Sequence, residues 1–501
     1  MTSRVLGQAR ESLLACYFDK SITDAWNAAF RLPNMFRRLL GEGSLSVSFI
    51  PVFVDAELHS QKRAQNLVNS VYSFLLLLLG CLTTFGVLHP EPLLNLVLDP
   101  AYLANTEKYL LTLRMTKIMF GFIFFVSSYA FMMGILNALG QFAWPALAPT
   151  FLNIVMIIST MLPDGIFAVH GDQLAFGVLI GGLVQAGILL PALIKTGFLP
   201  RLTFDYRNPD MHRVFKNMLP GLVGMGLLQF TTIINLRFSS SLHEGTISYI
   251  NYVDRLIELP LSLISVSLGT ALLPALAGLL SRGETKKFSE TTRHYLELNL
   301  LMTMAAAAGL YTLAHPIVAL LFGHGRFKAE DVTATAEILQ TYCWIMIVSS
   351  GVRVLTPAYY AVKNTWFPAA VSCFCVVVHI FLAPFLMQRF AVYGLMMSTI
   401  TSASINLTLL LVFFRYLVGE FEYVAFFKNL AIFAVLAFAT AASARVFFLL
   451  EVYLHGGLFF MILNIGISIL IAMIVFVSVG HLLKITLVSD IVQQVYRRIK
   501  R

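Results

Sequence analysis

The stretch TDAWNAAFRLPNMFRRLLGEGSLSVSFIP, Thr23 to Pro51, decides how this chain is to be read. It reads as a membrane-crossing helix, yet it carries Arg31, Arg37, Arg38 and Glu42 where a lipid-facing helix would carry leucine. A single arginine at the bilayer centre costs roughly 2.5 to 3.5 kcal/mol even on a lenient scale. At about 100° per residue, Asn27, Arg31, Asn34 and Arg38 fall in one narrow stripe with Arg37 on its flank, while Phe30, Leu32 and Leu39 point elsewhere. Such a face should line water. Snorkelling of the side chains to headgroups accounts for Arg38 taken alone. It accounts less well for the set, because Pro33, Gly41 and Gly43 interrupt the helix as in transporters whose irregular backbone lines a cavity.

The rest of the chain supports a membrane setting. Of its 501 residues 58% are hydrophobic and 12% charged, with a mean hydropathy of +0.79. A soluble domain lies near 45–50% apolar and about 25% charged. This is an all-α polytopic membrane protein, and the net charge of +9 is read as cytoplasmic loop charge, not nucleic-acid binding. Cys16, Cys81, Cys343, Cys373 and Cys375 show no paired metal spacing and are read as packing residues. The N-terminus lacks the pattern of a cleavable signal. No cofactor is expected.

Apolar runs give about fourteen transmembrane helices: a short one at 12–18, the 23–54 segment, 71–88, two within 118–163, 174–194, 218–236, 246–277, 298–314, 338–361, 366–387, 391–414, 430–450 and 457–480. With an even count both termini share a side. Nineteen Lys and Arg then fall on that side's loops and tail against five on the opposite loops, so both termini are expected to be cytoplasmic. The expected organisation is a six-helix N-terminal lobe (1–197), an interfacial cytoplasmic linker (198–217), a six-helix C-terminal lobe (218–418), two additional helices (419–484) and a basic tail (485–501).

The two lobes echo each other. Arg31-Leu32 recurs as Arg255-Leu256, Ser127-Ser128 as Ser349-Ser350, and Trp144-Pro145-Ala146 as Phe367-Pro368-Ala369, at offsets of 224, 222 and 223 residues. Six being even, both sets enter the membrane the same way, which predicts a parallel repeat around a central cavity. The second lobe has its own misfit helix: Thr246 to Ala277 carries Asp254, Arg255 and Glu258, with Asp254 and Glu258 at i, i+4 on one face.

A water-filled cavity lined by Arg4, Arg10, Arg37 and Arg255 would be an anion site, and the planar fork of arginine suits a diphosphate. Asp24, Asp254 and Glu258 would hold the arginines apart in the empty state, or take a coupling cation or proton. No G-x-x-x-x-G-K-[ST] loop occurs. The eleven histidines are scattered without metal-ligand spacing, so an enzyme is not expected.

SRVLGQAR at Ser3 to Arg10, TDAWNAAFRLPNMFRRLLGEGSLSVSFIPVF at Thr23 to Phe53, and YVDRLIELP followed by LGTALLPALA resemble the MurJ (MviN) family of lipid II flippases, within the multidrug/oligosaccharidyl-lipid/polysaccharide exporter superfamily. Family members carry a longer segment ahead of the part matching Ser3-Arg4. The resemblance implies a bacterial inner-membrane transporter that moves lipid II, the lipid-linked peptidoglycan precursor, between leaflets by alternating access. It places the functional cavity positions on Arg4, Arg10, Asp24, Arg37 and Arg255, with Glu42 and Glu258 in the matching motifs. The last two helices would form a groove for the lipid tail. Membrane lipids and cell-wall synthases are the further partners considered. The alternatives are an exporter of another polyprenyl-diphosphate glycan and a non-transporting scaffold that binds lipid II.

Overall fold

Backbone amides that enter lipid must find their partners within the segment, which leaves helices or closed barrels as the ways across. In the computed structural model, which describes residues 2–39, 45–163, 165–450 and 458–489, those residues form helices and no strand. They divide by contacts into two compact units, Met1–Ser248 with Gly325–Phe327, and Tyr249–His324 with Lys328–Arg501.

The first unit holds α1 (Thr2–Tyr17), α2 (Lys20–Leu39), α3 (Leu45–His59), α4 (Gln61–Leu88), the short α5 (Pro90–Val97) and α6 (Pro100–Ala104), α7 (Thr106–Ala138), α8 (Ala143–Thr160), α9 (Asp172–Gly187), α10 (Leu190–Thr196) and α11 (Pro209–Ser240). The division falls inside α12 (Thr246–Leu261). After a π-turn at Ser262–Val266 the second unit continues with α13 (Ser267–Ser281), α14 (Thr285–Thr312), α15 (Ala314–Phe322), α16 (Ala329–Tyr342), α17 (Ile345–Ala361), α18 (Trp366–Leu417), α19 (Tyr423–Leu450) and α20 (Leu458–Leu482).

Eight helices are long and apolar enough to cross a membrane, and two bent pairs, α14 with α15 at 70° and α16 with α17 at 42°, bring the count to ten among the described residues. The expected fourteen follow once the polar α1, the α2–α3 stretch and α11 are counted, and α18 is divided at Ala391, whose φ of 48° and ψ of −125° break the helix.

Within the first unit α7 is the central post, packed on α2, α3, α4 and α9. Its Phe122 meets Phe30 of α2 at 5.7 Å, which in turn stacks on Trp26 at 5.2 Å. Close approach of α8 and α9 depends on Gly177, where a Cβ would lie 2.0 Å from Ser159 Oγ. In the second unit α14 packs on α17 and α19, and the buried Tyr359 hydroxyl donates to the Leu410 carbonyl at 2.6 Å.

The repeat is visible inside each unit. Trp144-Pro145 opens α8 and Phe367-Pro368 opens α18, with proline in the first turn, where its missing N–H has no intrahelical partner to lose. Ser128 of α7 is reached by the Tyr72 hydroxyl of α4 at 3.4 Å; its counterpart Ser350 of α17 shares a hydrogen bond with Thr303 of α14 at 3.1 Å.

The segment between α10 and α11 is bonded along the polar end of α4. Gln65 Nε2 donates to the Leu199 carbonyl, the Arg201 amide to Asn69 and the Thr203 amide to Ser73. Asn208 caps α11, accepting from the Asp210 amide at 2.9 Å. Arg63 grips Asp210 with two bonds of 2.8 Å, and this guanidinium holds the Asp210 carboxyl below its usual range. A lowered folded pKa adds stability above the unfolded value near 3.9, lost as the pH falls through the folded one. Asp210→Asn should therefore cost about 1 kcal/mol at neutral pH, since Arg63 is partly exposed, and remove that part of the acid sensitivity in thermal unfolding scans of the purified protein.

Candidate functional site

The two halves of α2 live in different surroundings. From Thr23 to Ala29 every side chain is buried; from Asn34 to Leu39 every one is half-buried. The proline between them, Pro33, removes one helical amide without ending the helix.

Asp24, 1% exposed, anchors the packed half. Its Oδ2 accepts from Lys108 Nζ of α7 and from the Gly245 amide, both at 2.7 Å. Its Oδ1 accepts from the Ser248 amide at 2.9 Å and the Ser248 hydroxyl at 2.8 Å. The carboxylate thus sits on the first turn of α12, where unpaired amides and the helix dipole favour an anion. Ser248 Oγ also lies 2.9 Å from Thr23 Oγ1 and accepts from Asn27 Nδ2 at 3.3 Å. Three successive polar positions of α2 or their neighbours therefore hold one residue of α12. Beside this knot lies a cavity of about 110 Å³ lined by Asp24, Asn105, Lys108 and the 239–244 segment.

Arg10, 4% exposed, is paired with the wholly buried Glu11 at 2.5 Å. It also donates to Asn153 Oδ1 of α8 at 3.2 Å and lies 6.0 Å from the Trp26 ring. Asn153 in turn donates to the Ser3 carbonyl at 3.0 Å, which ties α1 to α8. Arg4, two turns earlier, is exposed.

On the half-buried part of α2, Arg37 Nε donates to Asn34 Oδ1 at 2.9 Å. Arg31 and Arg38 flank them, and the buried Nε of Arg38 has no partner among the described residues. Glu42 lies outside the described residues. On α12 Asp254 is half-buried while Arg255 and Glu258 are exposed.

The structure thus joins Asn34 to Arg37, and Asp24 to Asn27 through Ser248. Lys108, Glu11, Asn153 and Ser248 are the residues that sequence reasoning missed. No group of His, Cys, Asp and Glu among the described residues could hold a metal ion.

A family model described as "Lipid II flippase MurJ" matches residues 14–467. The chain belongs to that family. It is 52% identical over 413 residues to a "Probable lipid II flippase MurJ" of Bdellovibrio bacteriovorus, covering 82% of this chain and 79% of the relative. It is 33% identical over 380 residues to the "Lipid II flippase MurJ" of Burkholderia cenocepacia, covering 74% and 73%. Among solved structures, a MurJ flippase in an inward closed conformation superposes with a TM-score of 0.80 at 24% identity, over 96% of this chain and 97% of that one. An inward-facing multidrug transporter of the MATE family follows at 0.70 and 13% identity, over 85% and 96%. The chain thus has the fold of the MurJ structure, and with the MATE transporter it shares the fold alone.

Lys108 neutralises a carboxylate from which water is excluded, so removing either partner leaves a buried charge alone. Lys108→Met should destabilise the protein by about 3–5 kcal/mol. The pair Asp24→Asn with Lys108→Met should cost less than the two single changes together, read as a double-mutant cycle in thermal unfolding.

Proposed function

We propose that this protein is a lipid II flippase of the bacterial inner membrane, moving the undecaprenyl-diphosphate-linked precursor from the cytoplasmic to the periplasmic leaflet by alternating access. The observation that carries the reading is the charged half of α2, where Arg31, Arg37 and Arg38 stay half-buried on a helix whose other half is fully packed. Guanidinium groups kept from full burial by protein remain able to take a doubly charged diphosphate in bidentate hydrogen bonds.

In this reading Arg4, Arg31, Arg37, Arg38 and Arg255 bind the diphosphate and the adjoining sugar, and Arg10 joins them on release from its buried pair with Glu11. Asn27 and Asn34 supply neutral bonds, and Asp254, Glu258 and Glu42 space the cations when no cargo is bound. Asp24 closes the end of the first unit that loop charge assigns to the periplasm, with both chain termini on the cytoplasmic side. Its four bonds to Lys108, Gly245 and Ser248 would have to part for release on that side, so closure is a hydrogen-bonded latch and not an apolar seal. Work comes from an ion gradient, the membrane potential or the cargo's own gradient.

The test uses cells depleted of their own lipid II flippase and supplied with this chain, scoring lipid II reached by a periplasmic probe. The wild type should restore exposure, and Arg37→Ala or Arg255→Ala should abolish it at equal membrane abundance. A loss explained wholly by lower abundance would reject the arginine site. A wild type that inserts normally yet exposes no lipid II would reject the cargo.

A further inference from the structure

The α18 hairpin carries a polar file that the cargo site does not use. Its two arms meet at Ala391 and run antiparallel, since His379 pairs with Ser398 and Ser372 with Asn406, in nested order. They approach so closely near the corner that a Cβ on Gly394 would lie 2.3 Å from the Leu386 carbonyl oxygen. At 1.5 Å per residue His379 lies roughly 18 Å from that corner and 20 Å from the start of α18, about midway through the span. It is 1% exposed, and its Nδ1 is 2.9 Å from the hydroxyl of Ser398, itself fully buried.

Ser398, Ser402 and Asn406 recur every four residues and so share one face of the second arm. Ser402 Oγ, on a residue 6% exposed, and Asn406 Oδ1 are buried without a partner among the described residues. Unfilled acceptors of this kind, one and two turns from a buried imidazole, are positioned to bind water.

We propose that His379 is a proton-binding site whose occupancy changes during the transport cycle. The inference deepens the flippase reading and rests on it for the meaning of that cycle. In the neutral ring the Ser398 hydroxyl donates to Nδ1, and the ring hydrogen is on Nε2. A proton delivered from water adds to Nδ1 and gives the imidazolium. Nδ1 then donates to Ser398 Oγ, and the hydroxyl hydrogen turns toward the His379 carbonyl oxygen, 3.5 Å away. Release reverses these steps, so one proton enters and one leaves.

The neighbouring charged groups are otherwise engaged. On α16, Asp331 accepts from the Tyr249 hydroxyl and Glu337 from that of Tyr393, while Glu330 is exposed in the first turn. On α17, Tyr359 donates to Leu410, Tyr360 is exposed, and Arg353 is half-buried. On α18 itself Arg389 lies 5.3 Å from the Phe385 ring, Cys375 is a buried thiol and Arg415 is in the last turn. Burying the imidazolium costs more than burying the neutral ring, so the charged form favours a hydrated hairpin and the neutral form the closed one.

The test is a titration of the full chain, with its histidines labelled with nitrogen-15, in lipid nanodiscs. The resonance missing in H379Q and shifted in S398A should pass from neutral to imidazolium between about pH 5 and 8. A ring that stays neutral across that range overturns the proposal. In proteoliposomes, lipid II translocation by the wild type should change more than about threefold over the same range. H379Q should flatten that profile; an H379Q profile like the wild type's also overturns the proposal. Absence of translocation by the wild type would reject the flippase reading, and the titration would still decide whether His379 takes a proton.

Discussion

A charge enclosed by protein and lipid must be paired or kept in contact with water, and this requirement orders the first unit. Asp24 with Lys108, Arg10 with Glu11 and Asp172 with Arg114 are ion pairs in which at least one partner is almost wholly buried. Each joins different helices directly or through a neighbour: α2 to α7, α1 to α8, α7 to α9. Such pairs add little net stability over apolar packing, but breaking one is costly. They therefore fix which helices are neighbours more than how tightly the unit holds. The guanidinium groups on the second half of α2 follow the other branch of the rule and remain half-buried.

That contrast explains what could be read from the sequence. A charged stripe among apolar residues is a local pattern, so Arg31, Asn34, Arg37 and Arg38 were legible on α2. The span positions were legible for the same reason, including the division of α18, and so was the repeat, whose matched residues open or line corresponding helices. Charges spread along the chain were not. Lys108 stands three residues after the Asn105 cap and its amide donates to it, so it looks like loop charge at a helix start. Its ammonium nevertheless turns inward to a carboxylate 84 residues away. Glu11 was overlooked beside Arg10 because a neighbouring pair of opposite sign carries no sign of its burial. Ser248 is an ordinary serine until α12 brings its first turn to Asp24.

Asp24 stands out in the sequence, and the fold gives it a different set of contacts. The sequence reading has it spacing arginines in a cavity. In the fold its bonds go to a lysine and to two helix-end amides, a satisfied site with no remaining call for cargo. Three directional bonds onto one helix turn and a fourth from Lys108 are strong together and individually exchangeable with water. A latch of this kind opens when water reaches it, whereas an apolar seam of similar area would resist.

The helix breaks lie next to polar groups. Pro33 divides the packed and half-buried parts of α2; Pro260, which lacks an amide hydrogen and crowds the carbonyl one turn back, precedes the π-turn at Ser262–Val266 just beyond Arg255 and Glu258; Ala391 turns the hairpin that carries His379. A regular helix in lipid satisfies its own backbone and has little reason to rearrange. A break leaves carbonyls and amides without their usual partners, and these are stable only beside polar side chains or water. The same spots are where segments of one helix can tilt independently. Charged or polar side chains and a deformable backbone thus occur together for a single physical reason: each needs the water that the other admits.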